Sequence, residues 1–190
     1  MKQSKFDLHL ISKNIFTTLA HQILALLMSL AASIIIARSL GPGGNGQYSV
    51  AMLLPTSLIV FLNLGISSAN VFYVGRHSVS PVIACRASIL IWSIVTSVGV
   101  AIGVLLIFNM REEWFPGVPS VLLWLAFASF PLGMLQSYLS SLLQAVQDFQ
   151  RFNIVTILSP VVMLVLVIIF LLLRCNVFAV ISAAVLTQFA

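Results

Sequence analysis

The stretch Val161 to Leu173 contains no polar side chain, and long apolar runs recur along the chain. Runs of this kind restrict the fold more than any other feature. A membrane barrel would show short segments of alternating polarity. Unbroken apolar runs suit helices that cross a bilayer, where lipid-exposed backbone must satisfy its own hydrogen bonds. Only 7% of the 190 residues are charged, against about 25% in a soluble domain. A water-facing surface cannot be built from so few charges. The expected fold class is all-α: a polytopic membrane helical bundle of about six spans, each needing about 20 apolar residues.

The expected spans cover roughly residues 14–37, 47–74, 82–108, 120–147, 152–173 and 177–190. Between the first two, Gly41-Pro42-Gly43-Gly44-Asn45-Gly46 reads as a turn cluster that breaks the helix. Pro55 is expected to kink the second span by freeing a carbonyl. Residues 1–13 read either as a short interfacial helix or as a charged lead-in. The first apolar region runs on through Ile34, Ile35 and Ile36, longer than a cleaved signal peptide requires. The last span is still apolar at Ala190 and too short to cross. Residues 1–190 therefore read as the N-terminal transmembrane bundle of a longer protein whose C-terminal half is missing.

The net charge of +5 fits basic residues gathered on the cytoplasmic side. With the N-terminus inside, that side holds Lys2, Lys5, Lys13, Arg76, Arg86 and Arg151, and the other holds Arg38, Arg111 and Arg174. The expected topology is multi-pass with a cytoplasmic N-terminus. There is no basic stripe with interleaved aromatics, so nucleic acid is not an expected partner. Cys85 and Cys175 fall near opposite membrane faces, too far apart to pair.

Polar residues inside the spans mark candidate pathway positions. Span one carries Thr17, His21, Ala25, Ser29, Ser33 and Ala37 at four-residue spacing, with Thr18 and Gln22 beside them. Small residues favour close helix packing, while His21 and Gln22 favour a hydrated cavity. His21 is an ionisable group within a span and so a functional candidate, with hydrogen-bonded packing as the alternative. Span two carries Asn63, Gly65, Ser67, Ser68 and Asn70 after Pro55, a pattern fit for a broken helix at a binding site or for a structural kink. Span three holds Gly99 and Gly103 in a GxxxG pattern suited to close helix approach. Span four presents Ser129, Gly133, Gln136, Ser140, Gln144 and Gln147 at spacings of three or four; glutamines there must face protein or water.

Several chemistries lack their residues. The glycine cluster has no Lys-Ser/Thr to make a P-loop. No HExxH, GxSxG or Cys/His metal set occurs. Glu112 and Glu113 are adjacent and read as a solvated loop, not as the facing carboxylates of glycoside chemistry. No Asp or Glu lies clearly within a span. Neither a catalytic residue, a metal site nor a cofactor is expected.

Three segments resemble a known family. Ile35-Ile36-Ala37-Arg38-Ser39-Leu40-Gly41-Pro42 followed by Gly46-Gln47-Tyr48 resembles the start of Wzx-type polysaccharide and O-antigen flippases, of the MOP superfamily that also holds the MATE exporters. Leu64-Gly65-Ile66-Ser67-Ser68-Ala69 with Tyr73 and Arg76 is similar to their second span. Leu142-Leu143-Gln144-Ala145 through Phe149, Arg151 and Asn153 is similar to their junction of spans four and five. The resemblance implies the N-terminal lobe of a MATE-like transporter in a bacterial inner membrane. It implies translocation of an undecaprenyl-pyrophosphate-linked oligosaccharide, with glycan polymerases or ligases as neighbours. Arg38 matches the family arginine at the end of span one, which the resemblance implies attracts the lipid phosphate or acidic sugars; an interfacial anchor is the alternative. Candidate pathway residues are Arg38, His21, Gln22, Asn63, Asn70, Gln136, Ser140 and Gln144. A MATE-type small-molecule exporter would need an acid inside a bundle, and a membrane-embedded glycan-processing enzyme would need a large catalytic loop. A scaffold subunit would leave the polar faces without purpose.

Overall fold

The structure, a computed structural model, describes the backbone of residues 8–172 and 176–189 and the side chains of 16–170 and 176–188. Most of the proposed lead-in over 1–13, the Arg174-Cys175 turn with its cysteine, and Ala190 lie outside the described residues. Those described are helical, without a strand: α1 (Leu8–Leu62), α2 (Ile66–Gly75), α3 (Pro81–Asn109), α4 (Arg111–Trp114), α5 (Ser120–Phe127), α6 (Ser129–Ala145), α7 (Phe149–Leu172) and α8 (Val177–Leu186), with a 3-10 turn at Thr187–Phe189. Four stretches are long and apolar enough to cross a membrane: Phe16–Leu62, Pro81–Asn109, Ser120–Ala145 and Phe149–Phe170. The expected all-α membrane bundle is thus what forms. The apolar α8 has only 10 residues.

The first stretch holds two crossings. Gly41 alone leaves the helical region inside α1, at φ 66 and ψ -179, a conformation open essentially only to glycine. Ser29 and Ser49 line one cleft, although a straight helix would hold them about 30 Å apart. The chain therefore doubles back at Gly41 into arm one (8–40) and arm two (42–62). Pro42 opens arm two, where its missing N–H and fixed φ are no handicap. This corrects the expected turn cluster: Pro42 to Gly46 are helical, and one residue makes the reversal. Arm two then runs through the buried Pro55 with helical backbone. The interruption expected there falls at Leu64 and Gly65, with φ 50 and 73, and α2 resumes beyond them.

The span expected over 120–147 is two helices in line. Pro131 has no N–H to give the Phe127 carbonyl, and the helix bends at Ala128. Ser129 Oγ donates to the Ala126 carbonyl at 2.6 Å, and Trp92 Nε1 on α3 donates to the Pro131 carbonyl at 2.9 Å. This jointed span is the centre of the bundle: 44% of its most apolar window is buried, against 11% for α7. Its Leu123, Ala126, Phe130, Met134 and Tyr138 meet Ala51, Leu54 and Leu58 of arm two, Ile107 of α3 and Ile181 of α8 in one core.

On α3 the glycine pair receives aromatic rings. A Cβ on Gly99 would fall within the Phe130 ring, and one on Gly103 within the Phe127 ring. The two rings stack at 6.0 Å with planes 5° apart. Close approach here is aromatic side chain against backbone rather than backbone against backbone. A second, smaller core joins Ile36 of arm one to Val167 of α7 and Val180 of α8, which fixes arm one against the end of the chain.

Candidate functional site

Side-chain hydrogen bonds sort the polar residues of the spans into two groups. One group ties helices together. Asn70 Nδ2 on α2 donates to Ser88 Oγ on α3 at 2.9 Å and to Ser141 Oγ on α6 at 3.1 Å. Ser67 Oγ lies 3.3 Å from Asn63 Oδ1 and 3.1 Å from Ser137 Oγ. Gln136 Nε2 on α6 donates to Ser159 Oγ on α7 at 3.0 Å, and Asn153 Nδ2 on α7 to Thr18 Oγ1 on arm one at 3.4 Å. Among the candidates, Asn63, Asn70 and Gln136 belong to this group. His21 spends Nδ1 on its own helix, 2.6 Å from the Thr17 carbonyl.

The second group has no side-chain hydrogen bond among the described residues. Ser29 and Ser33 of arm one, Asn45, Tyr48 and Ser49 of arm two, and Pro160 of α7 line a cleft of about 290 Å³. Ser29, Ser33 and Ser49 are exposed yet sit within membrane-length apolar helices. An unpaired hydroxyl or amide left against lipid costs about 1–3 kcal/mol by the measure of protein mutations, which favours water, a ligand or further protein beside these groups. Pro160 adds to the polarity, because it cannot bond the Thr156 carbonyl one turn back. The cleft offers neutral donors and acceptors with no charge, a surface suited to hydroxyl-rich ligands.

The other candidates stand apart from the cleft. Gln22 is exposed on arm one, Ser140 is half-buried and Gln144 exposed on α6. Arg38 is exposed close to the Gly41 reversal, but it does not line the cleft. Among the described residues the one ion pair is Arg151 with Asp148, 3.3 Å apart at the start of α7.

The four-residue spacing on arm one does not make one straight face. Steps of four turn an α-helix by about 40° each, so Thr17 through Ala37 winds by roughly 200°. The structure follows that arithmetic: Ala25 is buried in the middle, while Thr17 and Ser33 emerge exposed on either side. Sequence reading also passed over Asn45, Tyr48, Ser49 and Pro160. The signal was present in Pro42: read as the first residue of a helix, it places Asn45 and Ser49 one turn apart on one face.

A bundle of membrane-length helices carrying an uncharged polar cleft between its first two crossings is a polytopic integral membrane protein. Residues 11–190 match the family described as polysaccharide biosynthesis protein, and the chain belongs to that family. Its role is accordingly in polysaccharide biosynthesis. No curated protein and no solved structure matches the chain.

Proposed function

We propose that this chain is the helix bundle of a flippase that carries a lipid-linked oligosaccharide, on an undecaprenyl-pyrophosphate-type carrier, across the bacterial inner membrane. The observation that carries the reading is the cleft of Ser29, Ser33, Asn45 and Ser49. Neutral hydroxyls and an amide within apolar helices suit sugar hydroxyls, which need hydrogen bonds at membrane depth, while the lipid tail stays in the bilayer. Family membership supplies the polysaccharide context. On this reading Arg38, exposed close to the Gly41 reversal, attracts the anionic phosphate, and the N-terminus lies in the cytoplasm. Gln22, Ser140 and Gln144 extend the polar path along the bundle. Glycan polymerases or ligases act on what is delivered.

The test is complementation. The protein carrying this chain, at its full encoded length, is expressed in a bacterium that lacks its own flippase but makes a matched lipid-linked glycan. Restored surface glycan is expected, lost when Ser33→Leu and Ser49→Leu fill the cleft and reduced by Arg38→Ala, with membrane insertion unchanged in both variants. Well-inserted protein that restores no glycan overturns the reading and turns attention to small-molecule export.

A further inference from the structure

A second feature lies at the far corner of the bundle, where α3 ends and α4 begins. An apolar groove of about 560 Å³ runs between arm two and α3 and ends at α4. Leu54 and Leu58 form its floor, while Leu53, Phe61 and Trp114 stand exposed at its rim. Glu113 also lines it. The same Glu113 borders a polar hollow of about 520 Å³ shared with Asn109, Arg111, Glu112 and Ser120. One carboxylate thus joins an apolar groove to a charged hollow.

The charges in that hollow are not spent on one another. Arg111, Glu112 and Glu113 form no ion pair among the described residues. The groove opens sideways through side chains of two membrane-length helices, so an occupant enters from the bilayer. Trp114 at its edge is the residue type that settles at the membrane–water boundary. An occupant must therefore combine an apolar chain with a head that carries both signs of charge. A purely anionic head would face two carboxylates with one guanidinium.

We infer that the α4 corner binds a zwitterionic phospholipid with a primary-ammonium head, as in phosphatidylethanolamine. The ammonium meets Glu112 and Glu113, the phosphate meets Arg111, and one acyl chain lies along Leu54 and Leu58. The site is separate from the Ser29–Ser49 cleft and does not depend on what passes through it. It gives the bundle a fixed lipid at the corner where arm two, α3 and α4 join.

Native mass spectrometry of the full-length protein in mild detergent tests this, with phosphatidylethanolamine and phosphatidylglycerol added in equal amounts. The ethanolamine lipid is expected to be retained over the glycerol lipid by roughly fivefold, the ratio that an exposed charge pair of about 1 kcal/mol gives. Neutralising both acids (E112Q with E113Q) is expected to bring that ratio to about one. Both acids are exposed, so the bundle does not need their charge to fold. Equal retention of the two lipids, preference for the anionic one, or an unchanged ratio in the double variant would each overturn the assignment. If the double variant fails to fold, equal retention of the two lipids by the wild type still overturns the assignment.

Discussion

Asn70 Nδ2 stands 2.9 Å from Ser88 Oγ, and both residues are buried, at 9% and 2% exposure. With Ser141 on the other side, one amide joins α2, α3 and α6. Asn70→Ala is expected to lower stability by about 1 kcal/mol, in the range of buried side-chain hydrogen bonds in membrane bundles. Asn70→Asp should cost more, because it buries a charge without a cation. Unfolding of the detergent-solubilised protein measures both. Equal stability of wild type and Asn70→Ala would mean that the serines re-pair at no cost.

The Gly41 reversal makes a second test. No atom lies within 4 Å of where a Cβ would stand, so substitution meets empty space and only the backbone resists. Gly41→Ala is expected to cost about 1–3 kcal/mol through its disfavoured dihedrals. Gly43→Ala, in equally open space but on helical backbone, should be neutral or slightly stabilising. A comparison of the two variants by thermal unfolding separates strain from crowding.

Gly103 presents the opposite case, with the Phe127 ring occupying the space a methyl group would need. Gly103→Ala should destabilise by about 1–3 kcal/mol, as overpacking does. Adding Phe127→Leu should recover part of that loss, since a smaller side chain leaves room for the methyl. Additive losses in the double variant would show that the contact is not what limits this helix pair.

The polar cleft predicts a pattern of chemical access. In a background where Cys85 and Cys175 are both replaced by Ala, Ser33→Cys and Ser49→Cys should react with a membrane-impermeant thiol reagent. Ser88→Cys, buried at 2% exposure, should not. If Ser33→Cys and Ser49→Cys stay as inert as Ser88→Cys, the cleft is sealed from water.

The helical class and the rough span limits were legible because composition and apolar run length leave few other folds. The exact points of reversal and interruption were not. Reading Gly41 to Gly46 as one loop hid that Pro42 opens a helix and leaves Gly41 as the turn. Pro55 seemed the natural break in span two, yet its surroundings hold the helix together and Leu64-Gly65 yields instead. Of the candidate residues, Asn70 and Gln136 proved to be joined to neighbouring helices. A lone polar residue in a span looks the same whether its partner is a serine across an interface or a ligand. The cleft was half visible through Ser29 and Ser33. Its other wall was hidden by reading Asn45 as part of a loop.

The polar positions of arm one, set four residues apart, make a screw thread rather than a rail. Each step rises about 6 Å and turns about 40°, so groups spaced this way swing through about half a revolution across one bilayer thickness. A rigid body pressed against the first group would lose the last. A flexible chain of small units could keep touching the thread, provided that it rolled as it advanced.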